Sequence, residues 1–181
     1  GDAILQAKDF VTNCPFMVCL PDDLVFHSPS AVKQLITQYE LLQNSFVGIV
    51  KVPREQISNY GIIKPTDQSN QQSFGIEYFV EKPITDDAPS NLAVIGRYLF
   101  DPVIMEQLGK FSYTVPNNEL LNSAMNSLAE QRQISATLIA GTRIDAGSAL
   151  GITQASTYQL LHNPLLGSLL RVFWESITNH N

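Results

Sequence analysis

Two apolar runs on either side of an amphipathic segment set narrow limits on the fold of this chain. The first run covers residues 16–20 and is stopped by Pro21, and the second covers residues 46–52. Between them, apolar residues recur at helical spacing over 30–42. Continuous apolar runs of this length are typical of strands that are buried on both faces. A strand, a helix and a strand in this order predict a βαβ unit and a parallel sheet.

The rest of the chain continues this alternation of strands and helices. Further strands are predicted over 74–80, 92–100 and 134–140. Helices are predicted over 53–58, 102–108, 118–131, 150–161 and 164–177, and residues 3–10 are typical of the end of a helix. Turns or loops are predicted over 21–23, 65–73 and 141–148. Because no internal repeat or low-complexity linker interrupts the pattern, we expect a single domain over 1–181.

The composition is that of a globular protein and argues against several function classes. Apolar residues make up 44% of the chain and charged residues 15%, and no apolar run approaches the ~20 residues of a membrane span. The first residues lack the basic flank and apolar stretch of a secretory signal, so we expect a cytoplasmic protein with no membrane partner. The net charge of −6, without a dense Lys/Arg tract, argues against nucleic-acid binding. An acidic protein that handles phosphates needs local cations or a metal ion.

Charged residues follow the predicted strands, where α/β sheets place their sites. Asp22 comes right after the first apolar run, Glu81 and Lys82 follow the run 74–80, and Asp145 lies in a glycine-flanked turn. Two aspartates from separate loops can hold one Mg²⁺, which prefers oxygen ligands. A lysine meets a phosphate as a compact point charge, and a carboxylate binds sugar hydroxyls. Each residue also has an ordinary structural explanation, as a turn aspartate, a helix cap or a surface lysine.

Five motifs follow one another in a fixed order: LPDDL at 20–24, YGII at 60–63, VEKP at 80–83, PSNLAVIGRY at 89–98 and DAGSALG at 145–151. In this order they resemble the motifs of bacterial UTP–glucose-1-phosphate uridylyltransferases. Residues 1–8 are also similar to the helix that precedes the first motif in that family. The similarity covers nearly the whole chain, and the order of the motifs is more specific than any one of them.

The resemblance implies a fold and a reaction. The fold is a Rossmann-like α/β fold of the nucleotide-diphospho-sugar transferase type, with a mixed, mostly parallel sheet flanked by helices. The reaction forms UDP-glucose and pyrophosphate from UTP and glucose 1-phosphate. Catalysis is then mostly positioning and charge neutralisation, and it needs no covalent nucleophile.

The resemblance also implies roles for individual residues. Asp22 and Asp145 would hold the Mg²⁺ that bridges the two substrates, and together with Lys82 they would be the catalytic residues. These roles require three loops, distant in sequence, to converge on one cleft. Substrate-binding roles are implied for Lys82 at the sugar phosphate, Glu81 at the sugar hydroxyls, Gly61 and Gly96 where the sugar approaches the backbone, and Glu119 facing the site.

The chain departs from the family pattern at two main points. The family begins with a glycine-rich nucleotide loop that bears an arginine, and no stretch of this sequence matches it. The resemblance therefore indicates the later portion of such an enzyme, with the first βαβ portion missing. Around Glu119, the family's Gly-Glu-Ile-Gln-Leu-Thr-Asp is replaced by Asn-Glu-Leu-Leu-Asn-Ser at 118–123. Ala146 stands where cysteine is usual in the family, and Asp145 stays in place.

Two functions stay open on the sequence. The intact charged residues favour the enzyme, or the catalytic sugar-binding portion of one. The absent nucleotide loop favours a non-catalytic module that binds a sugar phosphate or serves oligomerisation. The closing helices over 150–181 are rich in leucine and aromatic residues, more than one small sheet needs. We expect a homo-oligomer contact there, with ordinary core packing as the alternative.

Overall fold

The computed structural model describes residues 1–11, 13–66 and 72–178, so part of the predicted loop 65–73 lies outside the described residues. The strands are β1 Phe16–Cys19, β2 Asp23–Phe26, β3 Ser45–Lys51, β4 Gly61–Pro65, β5 Ser73–Glu81, β6 Leu92–Phe100, β7 Ile134–Leu138 and β8 Thr142–Asp145. The helices are α1 Asp2–Gln6, α2 Ala31–Leu42, α3 Val103–Phe111, α4 Asn117–Glu130, α5 Ala149–Leu161 and α6 Gly167–Thr178, with short 3-10 helices at Arg54–Asn59 and Thr85–Asp87. Among these helices, none has the length and apolar character needed to cross a membrane.

The chain consists of two compact units. The first unit comprises Gly1–Leu20 and His27–Gly141, and the second comprises Pro21–Phe26 and Thr142–Asn181. The second unit thus joins a short early segment to the C-terminal part of the chain. The single domain expected over 1–181 stays a prediction.

A six-stranded mixed sheet forms the centre of the first unit, in the order β1-β6-β3-β7-β5-β4. The mixed sheet is confirmed, and β1, β3, β4 and β7 run in one direction. The expectation of a mostly parallel sheet is wrong, however, because most pairs of neighbouring strands are antiparallel. Within the described residues β3 and β7 are the one parallel pair, because β5 and β6 run the opposite way and pair with the other strands. An apolar run indicates that a strand is buried, but not which strand lies beside it.

The predicted strand–helix–strand unit is present as β1, α2 and β3, with β6 between its two strands. The α2 helix begins after Ser30, whose Oγ accepts a 3.3 Å hydrogen bond from Lys33 N. The β3 strand is buried over most of its length, as predicted. The β1 strand is not: it is half-buried and Cys19 is exposed, because β1 is the last strand of the described sheet on its side.

Side chains from the sheet and from α1, α3 and α4 form one apolar core. The helices predicted over 102–108 and 118–131 are confirmed as α3 and α4, and they flank the sheet. Each fully buried aliphatic or aromatic side chain stabilises the fold by roughly 1.5–3 kcal/mol relative to its exposed state. The fully buried members of this core include Ile49, Ile63, Phe100, Ile104, Leu108 and Leu128.

The second unit is built on a two-stranded antiparallel ladder of β2 and β8. The prediction of a turn over 141–148 is wrong for Thr142–Asp145, which pairs in register with Phe26–Asp23. These strands were missed because each has four residues, and each begins or ends with a polar residue beside a predicted turn. The α5 helix follows, and the Ser148 Oγ caps it by accepting a 3.1 Å hydrogen bond from Gly151 N.

Candidate functional site

The two predicted metal ligands, Asp22 and Asp145, lie together in the second unit. Asp22 immediately precedes β2, and Asp145 is the last residue of β8, directly opposite Asp23 in the ladder. The Asp22 carbonyl accepts a 2.6 Å hydrogen bond from Ala146 N, which fixes the turn after Asp145 to the start of the early segment. The ladder therefore brings two aspartates that are distant in sequence side by side. We call Asp22 and Asp145 the acidic pair.

Gly147 forms the floor of the space that the acidic pair faces. A Cβ atom at this position would lie 3.1 Å from Asp145 Oδ1 and 3.3 Å from Asp22 Oδ2. The two oxygens are thus separated by no more than the sum of these distances, and the missing side chain leaves the space between them open. Mg²⁺ is usually held by one or two carboxylates plus waters and substrate phosphates. The donor set of the acidic pair fits such an ion.

In the described part of the chain, no third metal-binding side chain joins the acidic pair. No group of three or more His, Cys, Asp and Glu side chains with suitable geometry occurs among those residues. The remaining ligands of a cation at the acidic pair would be waters and phosphates, as is common for Mg²⁺.

Sequence reasoning missed the ion pair that lies next to the acidic pair. Asp23 is 5% exposed and accepts hydrogen bonds from Arg143 Nε at 2.7 Å and from Arg143 Nη2 at 3.2 Å. The same Nη2 lies 3.5 Å from Asp145 Oδ2. The signal that could have found it is the alternation in Thr-Arg-Ile-Asp, which places Arg143 and Asp145 on one face of a strand.

Glu81 and Lys82 end β5 in the first unit, beside Gly61 on β4. Gly61 and Glu81 are partners in the β4–β5 ladder, and a Cβ on Gly61 would lie 3.1 Å from Glu81 Oε2. The glycine thus leaves room for the carboxylate to lie over the strand. Lys82 N donates a 3.1 Å hydrogen bond to Tyr60 O, and both charged side chains are exposed. The structure therefore brings Gly61, Glu81 and Lys82 together at one corner of the sheet.

Lys82 has a left-handed backbone conformation. Its φ is 44°, a region that residues with a Cβ rarely occupy. Such conformations cost on the order of 1–3 kcal/mol and cluster at ligand-binding sites. The Tyr60 hydrogen bond holds the backbone at this point, so the strain is a fixed property of the β5 terminus.

Gly96 has a clear packing role on β6. A Cβ on Gly96 would lie 2.6 Å from Leu20 Cβ, so the Leu20 side chain occupies the space that a larger residue would need. The backbone supports the same contact, since Leu20 N donates to Gly96 O at 2.9 Å and Arg97 Nη1 donates to Leu20 O at 2.9 Å. The predicted approach of a sugar to Gly96 stays a prediction.

Glu119 lies in the first turn of α4 and is exposed. Its amide donates a 2.9 Å hydrogen bond to Pro116 O, which closes the first turn of the helix. A carboxylate in a first turn is favoured by the helix dipole. A role of Glu119 in substrate binding stays a prediction.

Comparison with known proteins places the chain in a family. A model of the nucleotidyl transferase family matches residues 1–159. The chain is 38% identical over 177 residues to the UTP–glucose-1-phosphate uridylyltransferase 2 of Streptococcus pyogenes serotype M3, covering 96% of this chain and 59% of that protein. It thus spans about three fifths of the length of this curated relative.

Solved structures are similar over most of the chain. A UTP-bound UGPase from Acinetobacter baumannii superposes with a TM-score of 0.83 at 31% identity, covering 94% of this chain and 59% of that one. A UDP-glucose pyrophosphorylase complexed with UDP-glucose gives a TM-score of 0.78 at 39% identity, covering 87% of this chain and 60% of that one. The predicted nucleotide-sugar transferase type of fold is confirmed by these structures. On the family match and on these relatives, the chain belongs to the nucleotidyl transferase family.

Proposed function

We propose that this chain takes part in the nucleotidyl transfer that forms UDP-glucose and pyrophosphate from UTP and glucose 1-phosphate. The observation that carries the proposal is the acidic pair, in which Asp22 and Asp145 each direct one oxygen at the open space over Gly147. The substrates are supported by the relatives, one of which is named for this reaction and two of which hold UTP or UDP-glucose. The non-catalytic alternative is not favoured, since those relatives are named as enzymes.

The acidic pair would hold a divalent cation. Nucleotidyltransferases of this family generally use a divalent metal, and we propose Mg²⁺ because the pair offers only carboxylate oxygens. Asp145 Oδ1 is held in place by a 3.0 Å hydrogen bond from Gly147 N. When bound, such an ion neutralises phosphate charge that develops during the transfer.

The corner formed by Gly61, Glu81 and Lys82 would bind glucose 1-phosphate. The Lys82 ammonium meets the phosphate as a point charge, and the Glu81 carboxylate accepts hydrogen bonds from sugar hydroxyls. Gly61 leaves the strand surface open beside the carboxylate, since a Cβ there would lie 3.1 Å from Glu81 Oε2. Gly96 and Glu119 complete the proposed substrate contacts.

The reaction needs no covalent intermediate with the protein. An oxygen of the sugar phosphate attacks the α-phosphorus of UTP in line, a new P–O bond forms, and the bond from the α-phosphorus to the bridging oxygen breaks. Pyrophosphate leaves with that electron pair, and no oxidant or reductant is required. Lys82, Asp22 and Asp145 contribute by positioning and by offsetting charge. Convergence of these residues on one substrate pair stays a prediction.

Substrate binding and pyrophosphate release test this proposal together. Calorimetry with glucose 1-phosphate and with UDP-glucose is expected to detect binding that Lys82→Met weakens by about tenfold or more. Release of pyrophosphate from UTP and glucose 1-phosphate with Mg²⁺ is expected to be abolished by Asp22→Asn or Asp145→Asn. Binding without release would support the non-catalytic module instead. Absence of both would refute the proposal.

We also propose that α5 and α6 contribute to a homo-oligomer contact. The two helices expose large apolar side chains, among them Leu150, Leu169 and Phe173, each more than half exposed. Because α5 and α6 pack against each other, their exposed apolar side chains can form a surface of the kind that is typical of an interaction site. Light scattering that gives the mass of a monomer would refute this assignment. The cytoplasmic location expected from the sequence stays a prediction.

A further inference from the structure

Arg143 is held rigidly by a buried carboxylate on the neighbouring strand. Its guanidinium contacts Asp23 through two nitrogens, at 2.7 and 3.2 Å, and the two side chains are 15% and 7% exposed. The fork of an arginine matches the two oxygens of a carboxylate, so a contact of this type fixes the plane of the guanidinium. The position of Arg143 is therefore set by Asp23 and not by solvent.

The fixed guanidinium also reaches the acidic pair. Arg143 Nη2 lies 3.5 Å from Asp145 Oδ2, while Asp145 Oδ1 accepts the 3.0 Å hydrogen bond from Gly147 N. Both oxygens of Asp145 thus have a partner within the second unit, although its side chain is 57% exposed. An exposed carboxylate without such partners would sample several rotamers.

The charges of these residues suit a cation at the acidic pair. A lone arginine next to Asp145 would repel a divalent cation. Here the negative charge of Asp23 offsets the positive charge of Arg143, because the two form a close ion pair. Arg143 can therefore orient Asp145 while the acidic pair keeps its attraction for a cation.

We propose that Arg143 is a positioning residue: anchored by Asp23, it orients the Asp145 carboxylate toward the space over Gly147 and so sets the affinity of the acidic pair for a divalent cation. The inference rests on the proposed function, since it assumes that the acidic pair binds such an ion. Outer partners that orient metal ligands typically change metal affinity by 10–100-fold when they are removed.

Mn²⁺ binding, followed by electron paramagnetic resonance of the free ion, measures this affinity without any turnover. The principal variant is the double substitution Asp23→Leu with Arg143→Met, which removes both members of the buried ion pair and so leaves no buried charge without its partner. We expect about tenfold weaker Mn²⁺ binding or more, with a thermal midpoint close to that of the original protein. Arg143→Lys keeps the charge but loses the fork, and we expect it to weaken binding as well. It also gives the measurement if the double variant fails to fold.

Arg171→Met is the matched control, because it removes an exposed arginine from α6 in the same unit. Wild-type Mn²⁺ affinity in both the double variant and Arg143→Lys, with binding lost in Asp145→Asn, would overturn the role of Arg143 and leave the acidic pair standing. Mn²⁺ binding that Asp145→Asn leaves unchanged would remove the proposed metal site and this inference together. The same conclusion would follow if the original protein bound no Mn²⁺.

Discussion

The side-chain amide of Asn126 pairs with both backbone groups of Phe79. Asn126 Oδ1 accepts from Phe79 N at 2.7 Å, and Asn126 Nδ2 donates to Phe79 O at 3.1 Å. The amide therefore takes the place of a neighbouring strand at this point of β5. Because Phe79 lies two residues before Glu81, this contact ties α4 to the strand that ends at the proposed sugar-phosphate corner.

Asn126→Ala is expected to lower the free energy of unfolding by about 2 kcal/mol, since it leaves a buried N–H and C=O without partners. Urea denaturation measures the change, with an unchanged m-value as the check on two-state unfolding. Asn118→Ala, in the exposed first turn of the same helix, is the control and is expected to stay within about 0.5 kcal/mol of the original protein. Equal stabilities for the two variants would contradict the role given to Asn126.

Gly147→Ala is expected to weaken Mn²⁺ binding by about tenfold, because the added methyl group would crowd both oxygens of the acidic pair. Titration followed by electron paramagnetic resonance measures the affinity. Gly109→Ala on α3 is the matched control, since a Cβ there meets nothing within 4 Å. It is expected to leave Mn²⁺ binding unchanged and to stabilise the helix by about 0.5–1 kcal/mol. If Gly147→Ala bound Mn²⁺ with the affinity of the original protein, the assignment of a cation site to the space over Gly147 would be wrong.

Lys82→Gly separates backbone strain from phosphate binding. Glycine adopts a φ of 44° without the steric cost that lysine meets, so we expect stability to be retained or to rise by about 0.5 kcal/mol. Binding of glucose 1-phosphate, measured by calorimetry, should fall about tenfold or more because the ammonium is lost.

The control for Lys82→Gly is Arg132→Gly, at a second position with a left-handed backbone, where φ is 56°. It relieves the same type of strain and removes the same charge, and it should leave glucose 1-phosphate binding unchanged. Similar losses of binding in the two variants would show that a general change of charge, and not the side chain of Lys82, is responsible.

Tyr39 makes the stability of the protein sensitive to high pH. Burial and the 2.8 Å hydrogen bond from its hydroxyl to Asp101 Oδ1 raise the pKa of Tyr39 to about 12 from an ordinary value of 10.0. Because the pKa is raised in the folded state, the stabilisation is complete below pH 10 and is lost as the pH rises toward 12.

Absorbance titration of tyrosinate checks this pKa. Tyr39→Phe is expected to remove one ionisation near pH 12. The stability difference between the original protein and Tyr39→Phe should shrink between pH 10 and 12. A difference that stays constant over this range would contradict the assignment.

The long elements of the fold could be predicted from the sequence because their patterns are local. β6 was predicted over its full extent at 92–100, and α2 within one residue, since continuous apolar runs and helical spacing depend on neighbouring residues alone. Strand order could not be predicted in this way. The insertion of β6 between β1 and β3 depends on contacts between residues that are distant in sequence.

Part of the candidate site could likewise be predicted from the sequence, and part could not. Asp22 and Asp145 could be selected because each lies in a predicted turn after a strand and matches a family motif, and the structure brings them together. The ion pair of Asp23 and Arg143 could not be found, because the glycines and polar residues over 141–148 predict a turn and not a strand. Whether an exposed carboxylate has a fixed orientation depends on such neighbours, which only the paired strands reveal.

The four-residue ladder of β2 and β8 has a consequence for which changes this region tolerates. Side chains alternate between the two faces of a strand, so the addition or loss of one residue in either strand would change the register that places Asp145 beside Asp22 and Arg143 beside Asp23. An exchange of one apolar side chain for another in the same ladder would leave that geometry in place. The two carboxylates therefore stay together only if the length of this ladder is kept, whereas the identity of its apolar residues can vary.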